Sequence, residues 1–517
     1  MTAPGHGMTM SDLVARHART RPDAEALVDE RRRHTYRELD GRVNRLAAAL
    51  AARGVGKGDR VAVLGLNGVE VVESWLATLR LGAIAVPVNF RLVADEIAYV
   101  LRDSGAKALV SDLAFAPAVD LARGSAPSVT SVITIGGDYD DVLAAAVDET
   151  VPGGAHDDDP AFIMYTSGTT GAPKGAVLTH RNLLLHAFSS IVTQGGTEPY
   201  AVWMSAAPLF HIAGLSGLLP VFIIGGKSII PPSGGFDPEA TVRTLDVEGV
   251  TSCFMVPAQW QAVCSVPGLD GHDLSRLRRI SWGASPAFTS LLQTMIDKFP
   301  QADVCSAFGQ TECSPVTTLL RGEDSLRKIG SVGTPILNVE VRVVDDAMND
   351  VPRGEIGEIV YRSPMVMKEY WNNPAATAEA FQGGWFHSGD LVRQDDEGYF
   401  YVVDRKKDMI ISGGENIYCA EVENALADHP GVAEVAVVGV PHPRWGETPL
   451  AVIVPRDPAS PPTPAEIEDY SRARLAAYKR PRHVLIVDAL PRNPSGKVVK
   501  TQLRERHARA GCRGVDA

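Results

Sequence analysis

The chain has 517 residues, 45% of them hydrophobic and 22% charged, with a formal net charge of -12. That length exceeds a single hydrophobic core and implies two or more domains, while the composition is ordinary for a soluble globular protein. The negative balance excludes a nucleic-acid-binding footprint and any general attraction to anionic lipid, although a local basic patch can still grip phosphates.

Met1 to Met10 is polar, lacks the basic-then-apolar pattern of a signal peptide, and reads as a loose tail. Thr35 and Glu38 form a capping box, followed by a helix with Leu39, Val43, Leu46 and Leu50 on one face and Gly54 as its stop. Residues 60–66, 69–81 and 83–88 read as strand, helix and strand, a βαβ unit, with a further strand at 107–111. The apolar runs 161–164 and 176–178 are short strands flanking a turn-prone loop. Residues 212–224 are the most apolar stretch. They are too short to span a bilayer and are broken by Gly214, Gly217 and Pro220, so they read as buried core, and no integral membrane segment is expected.

The α/β alternation continues with a strand at 228–230, a helix at 238–248 and a strand at 252–256. A helix opened by Pro286 follows, with Phe288, Leu291, Leu292, Met295, Ile296 and Phe299 as its apolar face. From about 336 short strands and Gly turns (339–344, 358–362) suggest a β subdomain. A strand at 398–403 runs into the charged residues 404–408, a candidate linker, and the domain boundary is placed at 404. Beyond it a compact α+β unit is expected: strand 409–411, helix 420–427, strands 435–440 and 451–454, helix 464–477 and strand 484–487. The six cysteines (253, 264, 305, 313, 419 and 512) form no Cys-x-x-Cys pair and no zinc spacing, which suits reduced thiols in the cytoplasm.

The loop Tyr165-Thr-Ser-Gly-Thr-Thr-Gly-Ala-Pro-Lys-Gly175 gathers hydroxyls, glycines and a lysine, a composition that can wrap a polyphosphate through side chains and backbone N–H groups. It is not a Walker A loop, because Pro173 and Gly175 stand where that pattern needs Gly and Ser or Thr. Further stretches stand out: Pro208-Leu-Phe-His211, Gly283-Ala-Ser-Pro286, Phe308-Gly-Gln-Thr-Glu312, Gly384-Trp-Phe-His-Ser-Gly-Asp390, Ser412-Gly-Gly-Glu-Asn-Ile417 and Pro491-Arg-Asn-Pro-Ser-Gly-Lys497. Taken singly these are a lone histidine, a strand-to-helix turn, a solvated helix start and exposed loops.

In this order they resemble the signatures of the adenylate-forming superfamily, which contains acyl- and aryl-CoA synthetases, luciferases and the adenylation domains of peptide synthetases. The resemblance covers nearly the whole chain. It implies an α/β fold: a large N-terminal domain of layered α/β sheets plus a β subdomain (1–403), and a small mobile α+β C-terminal domain (404–517) with a hinge at Asp404. It implies ATP, Mg²⁺ and coenzyme A, and a two-step ligation in which a carboxylate attacks the α-phosphate and a thiol then attacks the acyl-adenylate.

By the same resemblance Thr166, Ser167, Gly168, Thr169, Thr170, Gly171 and Lys174 hold the β- and γ-phosphates. Gly283, Ala284 and Ser285 line the adenine and acid pocket, with Ala307, Phe308, Gly309 and Gln310 beside the nucleotide. Thr311 contacts the α-phosphate and Glu312 ligates the metal. Asp390 takes the ribose and Arg405 reaches the same ribose or the phosphate, His211 gates the acid tunnel, and Gly413 and Gly414 line the pantetheine channel. Lys497 acts in adenylation. Phe308 stands where the family usually has Tyr. Cys419 stands where Pro is common, a change expected to loosen its loop. Trp282 is bulkier than expected and either restricts the pocket or fills core.

The acid is expected among His211, Ile212, Ala213, Trp260, Gly283, Ala307 and Gly309. No Arg or Lys falls among them, which disfavours a dicarboxylate and leaves fatty, aryl-propenoic and bulky cyclic acids open. The leading reading is an AMP-forming acyl-CoA synthetase. An enzyme restricted to one half-reaction, one loading an acyl-carrier protein, and a non-catalytic nucleotide binder are the alternatives. The oligomeric state stays open, a homodimer included.

Overall fold

The computed structural model describes residues 8–147, 154–166, 172–194, 200–283, 287, 289–412, 415–442, 444–472, 474–492 and 497–510. The chain packs as two compact units, one of residues 1–341 with 361–386 and one of residues 342–360 with 387–517.

The first unit opens with a helix where a tail was expected to end, Met10–Thr20, whose Thr9 and Asp12 form a capping box. The box at Thr35 and Glu38 is present, and Tyr36–Ala52 buries the expected stripe before Gly54 turns the chain at φ 83. Arg60–Leu64, Val69–Arg80 and Ile84–Pro87 make the expected βαβ unit, the strands parallel. Two strands we name β1 (Pro160–Thr166) and β2 (Lys174–Thr179) complete this region as an antiparallel hairpin on a seven-stranded sheet.

A second sheet of nine strands follows. Helix α1 (His180–Thr193) starts at the capping box of Thr179 and Asn182. Strand β3 (Val202–Ser205) leads into helix α2 (Ile212–Ile224), the run expected to be core, which buries Leu215, Leu218, Leu219 and Phe222. Strands β4 (Ser252–Phe254), β5 (Arg279–Gly283) and β6 (Asp303–Gly309) extend β3 in parallel, and β7 (Val316–Leu320) returns antiparallel to β6.

Strand side chains alternate between faces. Val202, Met204, Cys253, Ile280, Trp282 and Val304 share a core with Trp260, Leu291, Leu292, Met295 and Phe299, from the helices and their ends that cover that face. Trp282 therefore fills core, and Trp260 lies in the same core rather than in the set of acid-contacting residues expected from sequence. Pro286 and Phe288 fall outside the described residues. The other face carries Trp203, Phe254, Ser281, Cys305 and Ala307. There Leu185 of α1 packs with Cys305, Leu319 and Ile336, and α2 rests on the Trp203 indole. Gly217 permits that contact, since a Cβ at this position would fall 2.3 Å from the ring.

In the second unit, β8 (Phe386–Gln394) and β9 (Phe400–Arg405) form a four-stranded sheet with Glu340–Val344 and Ile356–Arg362. The α+β part follows, with strands Val432–His442, Gly446–Pro455 and His483–Ile486 packed against helices α3 (Cys419–Ala427) and Pro464–Arg472, and a terminal helix α4 (Lys500–Ala510). The helix expected over 464–477 stops at Arg472, where the Ser471 hydroxyl donates back to the Ile467 carbonyl at 2.6 Å.

The charged run 404–408 is more ordered than a free linker. Asp404 and Arg405 belong to β9, and the turn after them is tied down: Cys419 Sγ donates to the Asp408 carbonyl at 3.0 Å and Arg504 pairs with Asp408 at 3.0 Å. The Cys419 N–H also donates to the Asp404 carboxylate. Proline has no N–H to donate, so Cys419 tightens this junction, contrary to the loosening expected from sequence.

Candidate active site

The phosphate-suited loop springs from the end of the β1–β2 hairpin, whose last cross-strand pairs are Tyr165 with Gly175 and Thr166 with Lys174. Its stem is pinned by Tyr165 Oη donating to Asp103 Oδ2 at 2.6 Å and Tyr99 Oη donating to the Pro173 carbonyl at 3.0 Å. Ser167, Gly168, Thr169, Thr170 and Gly171 lie outside the described residues. Lys174 Nζ sits 5.2 Å from the centre of the Tyr370 ring.

The second signature occupies the β6–β7 connection. Gly309 has φ 153, and a Cβ there would fall 2.0 Å from the Pro315 carbonyl oxygen, so the chain turns back only with glycine. The turn carries Gln310, then Thr311 and Glu312 in one 3₁₀ turn (Thr311–Cys313). Glu312 is 8% exposed, and its Oε1 accepts from Tyr370 Oη at 2.9 Å and from Thr166 Oγ1 at 3.3 Å. Burial and the Glu312 charge hold the Tyr370 phenol far above its ordinary pKa, so it remains a donor.

Both partners are neutral. Among the described residues Glu312 has no ion pair, and a buried carboxylate without a counter-ion is costly. No group of three or more His, Cys, Asp or Glu that could hold a metal ion is present among the described residues. A hard cation here therefore takes one protein carboxylate and fills its shell with substrate oxygens and water, the habit of Mg²⁺. The donor set fits that ion.

Tyr370 is the residue that sequence reasoning missed. It lies 58 residues from Glu312, and its only local signal is an aromatic pair ahead of the helix start at Asn373.

Beside the face of the nine-stranded sheet that α1 and α2 cover, His211 is the N-cap of α2 and its Nδ1 accepts from the Ala213 N–H at 3.2 Å. Gly283 pairs with Ala307 across β5 and β6, and Phe308 and Gly309 continue β6 into the Glu312 turn. These positions share the C-terminal end of parallel strands, where α/β sheets bind ligands. Ala284 and Ser285 lie outside the described residues.

In the second unit Asp390 of β8 stands opposite Arg405 of β9, and the guanidinium Nε lies 2.6 Å from Asp390 Oδ1. Asp390 is 4% exposed and its N–H donates to Ser388 Oγ at 3.0 Å. Beside this pair Glu358 takes His387 and Lys406, each at 3.1 Å, which fixes the strand ends. A braced carboxylate next to a guanidinium suits a ligand that has both hydroxyls and a phosphate. Lys497 is exposed, next to the isolated bridge of Arg492 with Val498. Gly413 and Gly414 lie outside the described residues.

Residues 14–371 match the family model described as AMP-binding enzyme, and residues 421–497 match the AMP-binding enzyme C-terminal domain. The chain belongs to the AMP-binding enzyme family.

This AMP-binding enzyme is 44% identical to a feruloyl-CoA synthase of Amycolatopsis, over 95% of this chain and 97% of that one. It is 39% identical to a long-chain-fatty-acid–CoA ligase of Mycobacterium tuberculosis, over 96% and 98%. Among solved structures, an anthranilate CoA ligase in complex with anthranoyl-AMP superposes with a TM-score of 0.89 at 30% identity, covering 98% of this chain and 99% of that one. The o-succinylbenzoate coenzyme A synthetase of Bacillus subtilis in complex with ATP and magnesium superposes with a TM-score of 0.85 at 35% identity, covering 95% and 98%. The AMP-binding enzyme is accordingly an AMP-forming acid–CoA ligase that uses ATP with Mg²⁺ and takes coenzyme A as co-substrate. Among the described residues no helix is long and apolar enough to cross a membrane.

Proposed function

We propose that this enzyme joins a compact aromatic acid to coenzyme A through its acyl-adenylate. The carrying observation is the sheet face beneath α1 and α2. Toward the Glu312 turn that face carries the small residues Ser281, Gly283, Cys305 and Ala307 beside the Phe254 ring, which comes within 3.4 Å of where a Gly283 Cβ would sit, so a flat ligand ring would stack alongside Phe254. Its far end is closed by Trp203, held under Gly217 of α2. Trp203 shares a register row with Ser252, Arg279 and Asp303, four residues below Ala307, or about 13 Å along the strands. That depth takes a ring on a short arm and stops an extended long-chain acid. The identity to a feruloyl-CoA synthase supports the same class.

In this reading Lys174 and the loop before it neutralise the β- and γ-phosphates, and Thr311 donates to the α-phosphate. Glu312 holds Mg²⁺, which offsets phosphate charge. Asp390 accepts from the ribose hydroxyls while Arg405 braces it, and His211 borders the acid entrance. Lys497 serves adenylation, and a hinge at Asp404 exchanges it for Gly413 and Gly414 in thioester formation. Coenzyme A is the acceptor. The unbridged thiols of Cys253, Cys264, Cys305, Cys313 and Cys419 support work in the cytoplasm.

The test is an acid-length profile of the wild type and Trp203→Ala. Removing the indole should raise kcat/KM for long-chain acids by about tenfold or more, the worth of a few newly buried methylenes. An unchanged profile removes Trp203 as the floor.

A further inference from the structure

Residues 365–371 form a strap between the stem of the phosphate-suited loop and the Glu312 turn. Toward the stem, Glu369 and Tyr370 pair with Val177 and Ala176 of β2. The Lys368 and Trp371 N–H groups donate to the Val177 and Gly175 carbonyls at 2.9 and 2.7 Å. Toward the turn, the Met367 N–H donates to the Glu312 carbonyl at 2.6 Å, and Ser314 Oγ donates to the Met365 carbonyl at 2.7 Å.

Tyr370 makes the side-chain link within this strap. Its Oη donates to Glu312 Oε1 at 2.9 Å, and Lys174 Nζ lies 5.2 Å from its ring centre, within the range of a cation–π contact. Thr166 Oγ1 reaches the same Oε1 at 3.3 Å, so both hydroxyls take one oxygen. Oε2 has no hydrogen bond among the described residues, yet it is not one of the buried side-chain atoms left without a partner. The small exposure that Glu312 keeps therefore includes Oε2, which is open to an ion. A carboxylate pinned at one oxygen presents the other in a fixed direction, and such outer partners of a ligating carboxylate set metal affinity.

We propose that Tyr370 is a positioning residue for the metal: its hydroxyl holds Glu312 Oε1 so that Oε2 faces Mg²⁺, and its ring sets Lys174 at a fixed place beside that carboxylate. The metal ligand and the phosphate cation are thus aligned by one side chain. This rests on the roles given above to Glu312 and Lys174 and deepens them.

The experiment titrates Mg²⁺ at fixed ATP in wild type, Tyr370→Phe and Tyr370→Leu. One readout is the rise in melting temperature with no acid present; the other is acid-dependent pyrophosphate release. Tyr370→Phe keeps the ring and loses only the hydroxyl. It should raise the half-saturating Mg²⁺ concentration by about tenfold in both readouts, with the rate recovered at high Mg²⁺. KM for the acid should stay within about twofold of wild type, since the fold and the acid site are untouched. Tyr370→Leu loses the ring as well and should also raise KM for ATP at saturating Mg²⁺, by about threefold. A wild-type Mg²⁺ midpoint in Tyr370→Phe, or a rate loss that excess Mg²⁺ does not recover, assigns the hydroxyl to packing and overturns the proposal. Equal KM for ATP in the two variants overturns the role of the ring. Glu312→Gln separates the proposal from the reading beneath it. A full Mg²⁺-dependent melting rise in that variant takes Glu312 off the metal, and both fall. Loss of the rise there with no shift in Tyr370→Phe sinks the Tyr370 role alone.

Discussion

Glu312 owes its meaning to its partners. Its carboxylate is buried and meets two neutral hydroxyls, from Tyr370 and Thr166. Glu312→Gln removes an uncompensated charge, so the apo protein should melt at an unchanged or higher temperature. The same variant should lose the extra thermal stability that Mg-ATP confers, and adenylation should fall by about 10²–10³. Melting curves with and without Mg-ATP check this; full Mg-ATP stabilisation in the variant would remove Glu312 from the metal.

Lys497 gives a second residue-scale prediction. Lys497→Ala should cut adenylation by about 10²–10³ while thioester formation from supplied acyl-adenylate stays near wild type. Parallel loss in both half-reactions would count against its role. Glu312 and Lys497 could be singled out in sequence because each sits inside a contiguous signature. Tyr370 was not, because what gives it a role is a contact formed only in the folded chain.

At the scale of elements, the readable parts were local. The capping box at Thr35, the βαβ unit from Arg60 to Pro87 and the β1–β2 hairpin each depend on neighbours in sequence. The helix Met10–Thr20 was missed although its Thr9 and Asp12 box was in plain view. The facing of Trp260 and Trp282 depends on strand register, which no local pattern reveals. The order of the junction at 404–408 was out of reach for a similar reason: the bonds that order it come from Cys419 and Arg504.

That junction makes its own prediction. Cys419 is the first residue of α3, where proline fits sterically but cannot donate to Asp404. Cys419→Pro should lower the urea-unfolding stability of the second unit by about 1–2 kcal/mol, and Cys419→Ser, which keeps the N–H, should not. Equal stability of the two variants would show that the bond contributes nothing.

Across the whole molecule, burial leaves two histidines of α1 neutral: His180, lowered to about 4, and His186, lowered to about 3. The unfolded chain protonates both near pH 6.5 and the folded chain does not. The stability they leave intact is therefore fully present above pH 6.5 and is lost as pH falls from there toward 4 and 3, by up to about 1.4 kcal/mol per pH unit for each ring. His186→Phe should flatten the fall in melting temperature between pH 6 and pH 4 relative to wild type; an identical slope would mean the imidazole is already protonated or solvated.

The central claim is that this chain forms AMP while joining a compact aromatic acid to coenzyme A. It is tested most directly by mass spectrometry of the purified protein given Mg-ATP, coenzyme A and equal amounts of 4-hydroxycinnamate and palmitate. The account predicts the aryl-CoA thioester with matching AMP and pyrophosphate. Palmitoyl-CoA as the main product would contradict the acid class, and ADP with phosphate in place of AMP with pyrophosphate would contradict the mechanism.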